Sequence, residues 1–163
     1  MLFTLREDDE DGQRWAGEMF GVDYSEASVQ LARSITAQRQ DDDQASLRFE
    51  QWDILNEPPS EWQKDGFDVV LDKGTFDAIS LMPHDARARH PCEVYRQKVQ
   101  PLIKPGSFLF VTSCNWTKDE LISWLTPASG ELAIYSEAKY PTFTFGGKTG
   151  QSIVTIVFQR KAG

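Results

Sequence analysis

Short apolar runs alternate with amphipathic segments in the first third of the chain. Glu18–Tyr24 (EMFGVDY) is short and apolar and has an acid near its end, which is typical of a buried strand. A helix is predicted from Ser25, whose side chain can cap it, to about Gln38, because apolar residues recur on one side. Ser46–Asp53 alternates between two unequal faces and predicts a second strand.

The alternation continues in the middle of the chain. Phe67–Leu71 (FDVVL) and Ser107–Cys114 (SFLFVTSC) are strongly apolar and predict two more buried strands. A helix is predicted between them over about Glu93–Leu102, ended by the Pro and Gly residues that follow. The sequence TKDE (117–120) has the Thr and Glu spacing of a capping box, which predicts a helix up to about Leu125.

The C-terminal part of the chain follows a different pattern. Glu131–Ser136 and Ser152–Phe158 are strand-like, and Thr142–Gly150 between them has no long helical pattern, so we predict a closing antiparallel pair. Strands that alternate with helices predict an α/β fold with a parallel, doubly wound sheet. In such folds the ligand sites lie at the carboxyl ends of the strands.

Length and composition indicate one ordinary globular domain. The 163 residues are 40% hydrophobic and 26% charged, so we expect a single domain, with a parallel core over residues 18–114 and a helix and hairpin over 115–163. The net charge of −8 equals the number of acids in two runs, Glu7–Asp11 and Asp41–Asp43. These runs are interpreted as solvated loops, with steering toward a basic protein partner as the alternative.

Composition also disfavours several classes of function. No run of Lys and Arg accompanies exposed aromatic residues, so nucleic-acid binding is not expected. Cys92 and Cys114 are too few for a disulfide framework or a zinc site, and no metal is expected. The N-terminus lacks a signal-peptide pattern, and no apolar run reaches the roughly 18 residues of a membrane span. We therefore expect a soluble, intracellular protein with no membrane partner.

Three carboxylates stand at or near the carboxyl ends of three predicted strands: Asp23, Asp53 and Asp72. A carboxylate in this position can accept hydrogen bonds from a ribose diol, an adenine amino group or an ammonium, each worth about 1.5–3 kcal/mol. Each acid taken alone could instead cap a helix or form a turn. Asp23 would also suit the ribose of a nicotinamide cofactor, so a dehydrogenase is an alternative at this point.

Four segments carry a resemblance to a known family. They are GVDYSEASVQLA (21–32), FDVVLDKGTFDAISL (67–81), LIKPGSFLFVTSCNWTKDEL (102–121) and FTFGGKTGQSIVTIVFQ (143–159). From Glu18 to Gln159, the chain resembles the eukaryotic, fungal-type lysine methyltransferases that modify translation elongation factor 1-alpha. The resemblance implies a Rossmann-like class I methyltransferase fold, with a seven-stranded sheet and a C-terminal antiparallel hairpin that dinucleotide dehydrogenases lack. It also implies S-adenosylmethionine as the methyl donor, elongation factor 1-alpha as the protein substrate, and a monomer in the cytoplasm.

The resemblance also assigns roles to residues at the strand ends. Asp23 would hold the cofactor ribose, Asp53 would lie at the adenine, and Asp72 would lie near the methionine moiety and the point of methyl transfer. The residues expected to bind the cofactor are Asp23, Tyr24, Asp53, Ile54, Asp72 and Lys73, and those expected to line the lysine channel are Phe76, Asn115, Trp116 and Phe145.

Asp72 is the expected catalytic residue. Lysine has a reference pKa of about 10.4 and cannot attack while it is protonated, so the site must let the proton leave. Asp72 could steer the ammonium and accept or relay its proton. Phe76, Trp116 and Phe145 have packing as their alternative role, and Asn115 has a turn.

The family's first strand and its GxGxG turn are not found in the sequence. Residues 1–8 match the helix that follows that turn, so we expect the fold to be truncated at its N-terminus, without its first strand. Either the sequence is incomplete, or it is a degenerate member that binds cofactor poorly and serves as a methyltransferase-like scaffold. Under both interpretations, we expect the 163 residues to have low activity alone.

Overall fold

The computed structural model describes residues 1–7, 11–13, 15–39, 47–83, 85, 87–141, 143–145, 148–150 and 152–162. For residues 143–145 and 148–150 the description covers the backbone only. The chain divides into two compact units, Met1–Glu57 and Pro58–Gly163, and each is described by itself.

Among its described residues, the first unit contains two parallel strands and two helices. Its elements are α1 (Leu2–Leu5), β1 (Met19–Asp23), α2 (Glu26–Gln38) and β2 (Leu47–Gln51). β1 pairs with β2 in a parallel register that places Asp23 beside Gln51. Ser25 caps α2 as predicted, because its hydroxyl accepts the N–H of Ser28 at 3.3 Å. The predicted order of strand, helix and strand is confirmed.

The second unit holds a four-stranded mixed sheet. Its elements are β3 (Phe67–Lys73), α3 (Thr75–Ser80), α4 (Pro91–Val99), β4 (Ile103–Ser113), α5 (Lys118–Leu125), β5 (Leu132–Glu137), β6 (Phe143–Phe145), β7 (Lys148–Gly150) and β8 (Val154–Arg160). The strand order is β3-β4-β8-β5, and β6 and β7 form a separate short pair. β3 and β4 are parallel, whereas β8 runs antiparallel to both β4 and β5. The predicted antiparallel pair near the C-terminus is confirmed.

One layer of the core of the second unit lies on a single face of the two central strands. Leu109 and Val111 of β4 lie opposite Phe158 and Ile156 of β8, and all four side chains are completely buried. Directly opposite residues share a face of the sheet, so these side chains form one continuous apolar layer. Helix α5 contributes the buried Leu121 and Leu125 of its apolar stripe.

Two predicted boundaries are wrong by a few residues. The helix expected over Glu93–Leu102 is α4 followed by a 3-10 turn at Gln100–Leu102. Pro101 has no N–H and cannot continue the α-helical ladder, which accounts for the change. Lys104–Gly106 was expected to lie outside the next strand, but β4 already begins at Ile103 and includes it.

The resemblance implies one seven-stranded sheet, whereas the strands of the described residues form separate groups of two, four and two. That expected count includes the family's first strand, which the sequence pattern does not show. The closing antiparallel strands agree with the expectation. No helix within the described ranges is both long enough and apolar enough to cross a bilayer.

Candidate active site

Asp72 lies near the carboxyl end of β3 and is nearly buried, with 6% of its surface exposed. Its Oδ2 accepts a hydrogen bond of 2.5 Å from the Tyr95 hydroxyl on α4. The backbone N–H of Thr75 donates to Oδ1, and the N–H of Phe76 is shared between both oxygens. The carboxylate therefore holds the first turn of α3 and connects it to α4.

The burial of this pair changes the acidity of both groups. Burial raises the pKa of the Asp72 carboxyl, and the hydrogen bonds from Tyr95, Thr75 and Phe76 oppose that rise. Burial, together with the neighbouring Asp72 carboxylate, raises the pKa of the Tyr95 hydroxyl well above the usual value for a phenol. Tyr95 therefore stays protonated at neutral pH and remains a donor to Asp72.

A sharp turn after Asp72 makes this arrangement possible. Gly74 has a φ of +92°, a left-handed conformation that glycine adopts much more readily than other residues. The turn directs the N–H groups of Thr75 and Phe76 back toward the Asp72 carboxylate. Lys73, expected at the cofactor, is exposed at the end of β3.

A second buried acid, Asp77, connects α3 to the turn that follows β4. Asp77 is 6% exposed and accepts hydrogen bonds from the Ser113 hydroxyl at 2.5 Å and from the Cys114 N–H at 2.9 Å. The Ser113 Oγ in turn accepts the N–H groups of Asn115 and Trp116, both at 3.1 Å. Three consecutive N–H groups of the turn are thus held by one carboxylate and one hydroxyl.

Aromatic side chains form a row beside these acids. Phe76 contacts Tyr95 and Trp116 with ring centroids 5.2 and 6.2 Å apart, and Trp124 continues the row to His90. The indole N–H of Trp116 donates to the Ser80 hydroxyl at 3.0 Å. Phe76 has no exposed surface, which agrees with its alternative packing role.

Trp116 and Trp124 are half-buried, and Asn115 is exposed in the turn. Indole faces of this kind attract cations by a cation–π interaction of about 0.5–2 kcal/mol. The structure therefore brings Asp72, Phe76 and Trp116 together through direct and aromatic contacts, and Asn115 adjoins Trp116. Their assignment to a lysine channel stays a prediction.

Asp23 and Tyr24 lie at the end of β1 in the first unit. Asp23 is exposed, and its Oδ1 accepts the N–H of Ser25 at 2.8 Å. This is the one hydrogen bond to its side chain within the described part of the chain, and it uses only one of the two carboxylate oxygens. Tyr24 has 76% of its surface exposed.

Asp53 and Ile54 follow β2. The Asp53 carboxylate accepts hydrogen bonds from the N–H groups of Leu55 and Asn56 and from the Asn56 side chain. The Asn56 side chain is the main cause of the lowered pKa of Asp53. The turn-forming alternative therefore describes the contacts of Asp53, while its contact with adenine stays a prediction. Ile54 is partly exposed within this turn.

The remaining expected site residue, Phe145, is located by its backbone alone. It pairs with Lys148 between β6 and β7, and its side chain lies outside the described part of the structure. Across the described residues, no group of three or more His, Cys, Asp and Glu side chains is arranged to hold a metal ion.

Sequence reasoning missed four residues that organise the site, which are Ser80, Tyr95, Asp77 and Ser113. Asp77 and Ser80 lie three residues apart in α3, and this spacing places them on the same helix face. Asp77 also lies within FDVVLDKGTFDAISL (67–81), one of the segments that carry the family resemblance, so its position offered a signal. Tyr95 offered none, because its partner is 23 residues away in sequence.

The order β3-β4-β8-β5, with β8 antiparallel, belongs to the Rossmann-like class I fold of S-adenosylmethionine-dependent methyltransferases. A solved structure with this fold is the N-methyltransferase NodS from Bradyrhizobium japonicum in complex with S-adenosyl-L-homocysteine. It superposes with a TM-score of 0.59 at 11% identity, covering 88% of this chain and 66% of NodS. Residues 1–161 match the family described as methyltransferase domain, and the chain belongs to that family.

Two curated relatives have more specific names. The protein-lysine N-methyltransferase efm4 of Schizosaccharomyces pombe is 37% identical over 159 residues, which is 98% of this chain and 64% of the relative. The human EEF1A lysine methyltransferase 2 is 36% identical over 140 residues, which is 86% of this chain and 55% of the relative. The chain thus spans less than two thirds of the length of each.

Proposed function

We propose that this protein transfers a methyl group from S-adenosylmethionine to a lysine of translation elongation factor 1-alpha. The observation that carries the proposal is the identity of 36–37%, over most of the chain, to proteins named as lysine methyltransferases. The name of the human relative specifies EEF1A. The low-identity structural neighbour supports the fold alone.

The end of β1 fits the ribose of S-adenosylmethionine. Asp23 is exposed, and one of its oxygens is already turned to the Ser25 N–H, which leaves the other to accept from a ribose hydroxyl. We assign the adenine side to Ile54 and Asp53, and the surface beside the ribose to Tyr24. When bound, S-adenosylmethionine supplies the electrophilic methyl group.

The second unit supplies the acceptor side in this proposal. Trp116 and Trp124 present half-buried indoles that favour an approaching ammonium. Asp72 adds a negative charge at the end of β3, held in place by the hydroxyl and N–H donors described above. Because its two oxygens already accept these bonds, we assign Asp72 the role of steering the ammonium, whose charged form a carboxylate stabilises. Loss of the proton to solvent is then favoured by desolvation of the amine and not by Asp72.

Cofactor binding is tested by isothermal titration calorimetry with S-adenosylhomocysteine and with NAD. We expect binding of S-adenosylhomocysteine and none of NAD. Asp23→Asn keeps an oxygen for the Ser25 N–H but removes the charge, and one charge-assisted hydrogen bond of about 1.5–3 kcal/mol corresponds to a loss of roughly 10-fold to 100-fold in affinity. Glu26→Gln removes an exposed charge in the first turn of α2 and is the matched control.

Either of two results would contradict this assignment. One is NAD binding in place of S-adenosylhomocysteine, and the other is equal affinity of Asp23→Asn and Glu26→Gln for S-adenosylhomocysteine. The steering role is tested separately with Asp72→Asn, which we expect to lower methyl transfer. If Asp72→Asn kept both full activity and full cofactor affinity, that role would be excluded.

Other parts of the account are also proposals. We propose that the protein acts as a single domain and as a monomer in the cytoplasm, without a nucleic-acid partner. Size-exclusion chromatography with light scattering measures the oligomeric state directly. A dimer at micromolar concentration would contradict the monomer.

A further inference from the structure

We propose that Asp77 is a positioning residue that, together with Ser113, sets the acceptor-side turn Cys114–Trp116 in its working geometry. The proposal rests on the proposed function, because it assigns this turn to the entry of the lysine. Asp77 is not expected to touch the substrate. It acts through the backbone and side chains of the residues that do.

The contacts of Asp77 and Ser113 determine the path of the turn. Asp77 Oδ1 accepts from the Ser113 hydroxyl at 2.5 Å, and Oδ2 accepts from the Cys114 N–H at 2.9 Å and from its thiol at 3.4 Å. The Ser113 Oγ accepts the N–H groups of Asn115 and Trp116, each at 3.1 Å. Backbone N–H groups at the end of a buried strand need partners, and here side chains provide all three.

Helix α3 also fixes the indole of the same turn. The Ser80 hydroxyl donates to the Asp77 carbonyl oxygen at 2.7 Å and accepts the Trp116 indole N–H at 3.0 Å. The segment Asp77–Ser80 therefore holds both the backbone and the ring of the turn. Phe76 of the same helix also packs against the Trp116 ring, so α3 contacts the indole through a second residue.

The hydrogen-bonding pattern requires a carboxylate at position 77. An Asn side chain offers one oxygen and one NH₂ group, but Ser113 and Cys114 present two donors to two different oxygens. Ser113 cannot instead accept a hydrogen bond from an Asn NH₂ group, because the two lone pairs of its oxygen already accept two N–H groups. Asp77→Asn therefore keeps the size of the side chain and leaves one donor of the turn without an acceptor.

The test compares Asp77→Asn and Ser113→Ala with the unaltered 163-residue chain. Displacement of a positioning group by about 1 Å can reduce catalysis by about 100-fold, so we expect kcat/KM for the lysine acceptor to fall at least about tenfold. Affinity for S-adenosylhomocysteine should stay within about twofold, since Asp23, the residue assigned to the ribose, belongs to the first unit, whereas Asp77 and Ser113 belong to the second. Asp77→Asn and Ser113→Ala should be strongly non-additive, because the two residues act as one unit.

The two cysteines report on the turn independently of catalysis. Cys114 is exposed within the turn and Cys92 is buried in α4. In Asp77→Asn, alkylation of Cys114 should become several times faster, while Cys92 stays protected as evidence of an intact fold. The exposed Asp119, in the first turn of α5, provides the matched control Asp119→Asn, which should change neither alkylation nor transfer.

The outcomes separate the two claims. If the unaltered chain transfers no methyl group, the proposed function fails, and the Cys114 alkylation rates still decide whether Asp77 sets the turn. If Asp77→Asn leaves both Cys114 alkylation and acceptor kcat/KM unchanged, the positioning role is overturned. Faster labelling of Cys92 and Cys114 together would also overturn it, because that pattern indicates a general structural role.

Discussion

Replacing Tyr95 with Phe removes a single buried hydroxyl and tests the pairing with Asp72. The ring stays in place against Phe76, so the change deletes the hydrogen bond of 2.5 Å and little packing. A hydrogen bond to a charged group contributes about 1.5–3 kcal/mol. With a urea dependence of about 1–3 kcal/mol per molar, Tyr95→Phe should lower the urea midpoint by roughly 1 M at neutral pH.

The loss of stability should depend on pH in a defined direction. The unfolded chain has an Asp pKa of about 3.9, and burial raises the pKa of Asp72 in the folded protein. Asp72 therefore contributes most to the stability of the fold below about pH 3.9. This contribution decreases as the pH rises toward the pKa that Asp72 has in the folded protein. Without the Tyr95 hydroxyl, the pKa of Asp72 in the folded protein rises further. The variant therefore loses more stability than the unaltered chain as the pH rises, and the difference between their free energies of unfolding grows with pH.

Urea unfolding followed by circular dichroism, at several values between about pH 4 and pH 8, measures this difference. Tyr135→Phe is the matched control, because Tyr135 is 62% exposed and the same atom is removed. We expect Tyr135→Phe to lie within about 0.5 kcal/mol of the unaltered chain. If Tyr95→Phe had an equally small effect, or an effect that shrank as the pH rose, the reasoning about a buried, ionised Asp72 would be refuted.

Three smaller changes test the local structure. Gly74→Ala places a Cβ at a φ of +92° and should cost about 1–2 kcal/mol in the free energy of unfolding, measured in urea. An unchanged free energy of unfolding would argue against a left-handed conformation at residue 74. Thr117→Ala removes the capping box of α5 and should cost about 1 kcal/mol, whereas an unchanged urea midpoint would argue against the cap. Burial raises the pKa of the Cys92 thiol to about 11, so iodoacetamide at neutral pH should label Cys114 first; equal labelling rates in the native protein would contradict this.

Local signals in the sequence were sufficient to predict several elements. Ser25 precedes an amphipathic segment and does cap α2, and the Thr117–Glu120 spacing does form a capping box. Both features depend on residues within one helical turn, so a sequence pattern contains all the information needed. The antiparallel tail was also predictable, because two strand-like runs had no helix between them.

Long-range partners were not predictable in the same way. Asp72 was recognised as a site residue, but its contact with Tyr95 depends on the packing of α4 against α3, across 23 residues. Asp77 was overlooked because nothing near it in sequence shows that it meets Ser113, 36 residues later. The partners of Asp53, in contrast, are local in sequence, since its carboxylate accepts hydrogen bonds from its own turn.

The most direct test of the central claim is methyl transfer under single-turnover conditions, with this chain in molar excess over elongation factor 1-alpha. Radiolabelled S-adenosylmethionine is added, and the factor is digested and its peptides analysed by mass spectrometry. We predict label on a lysine of the factor, which is reduced by Asp23→Asn and retained by Glu26→Gln. Absence of label from every lysine of the factor, under conditions in which S-adenosylhomocysteine binds the chain, would contradict the account.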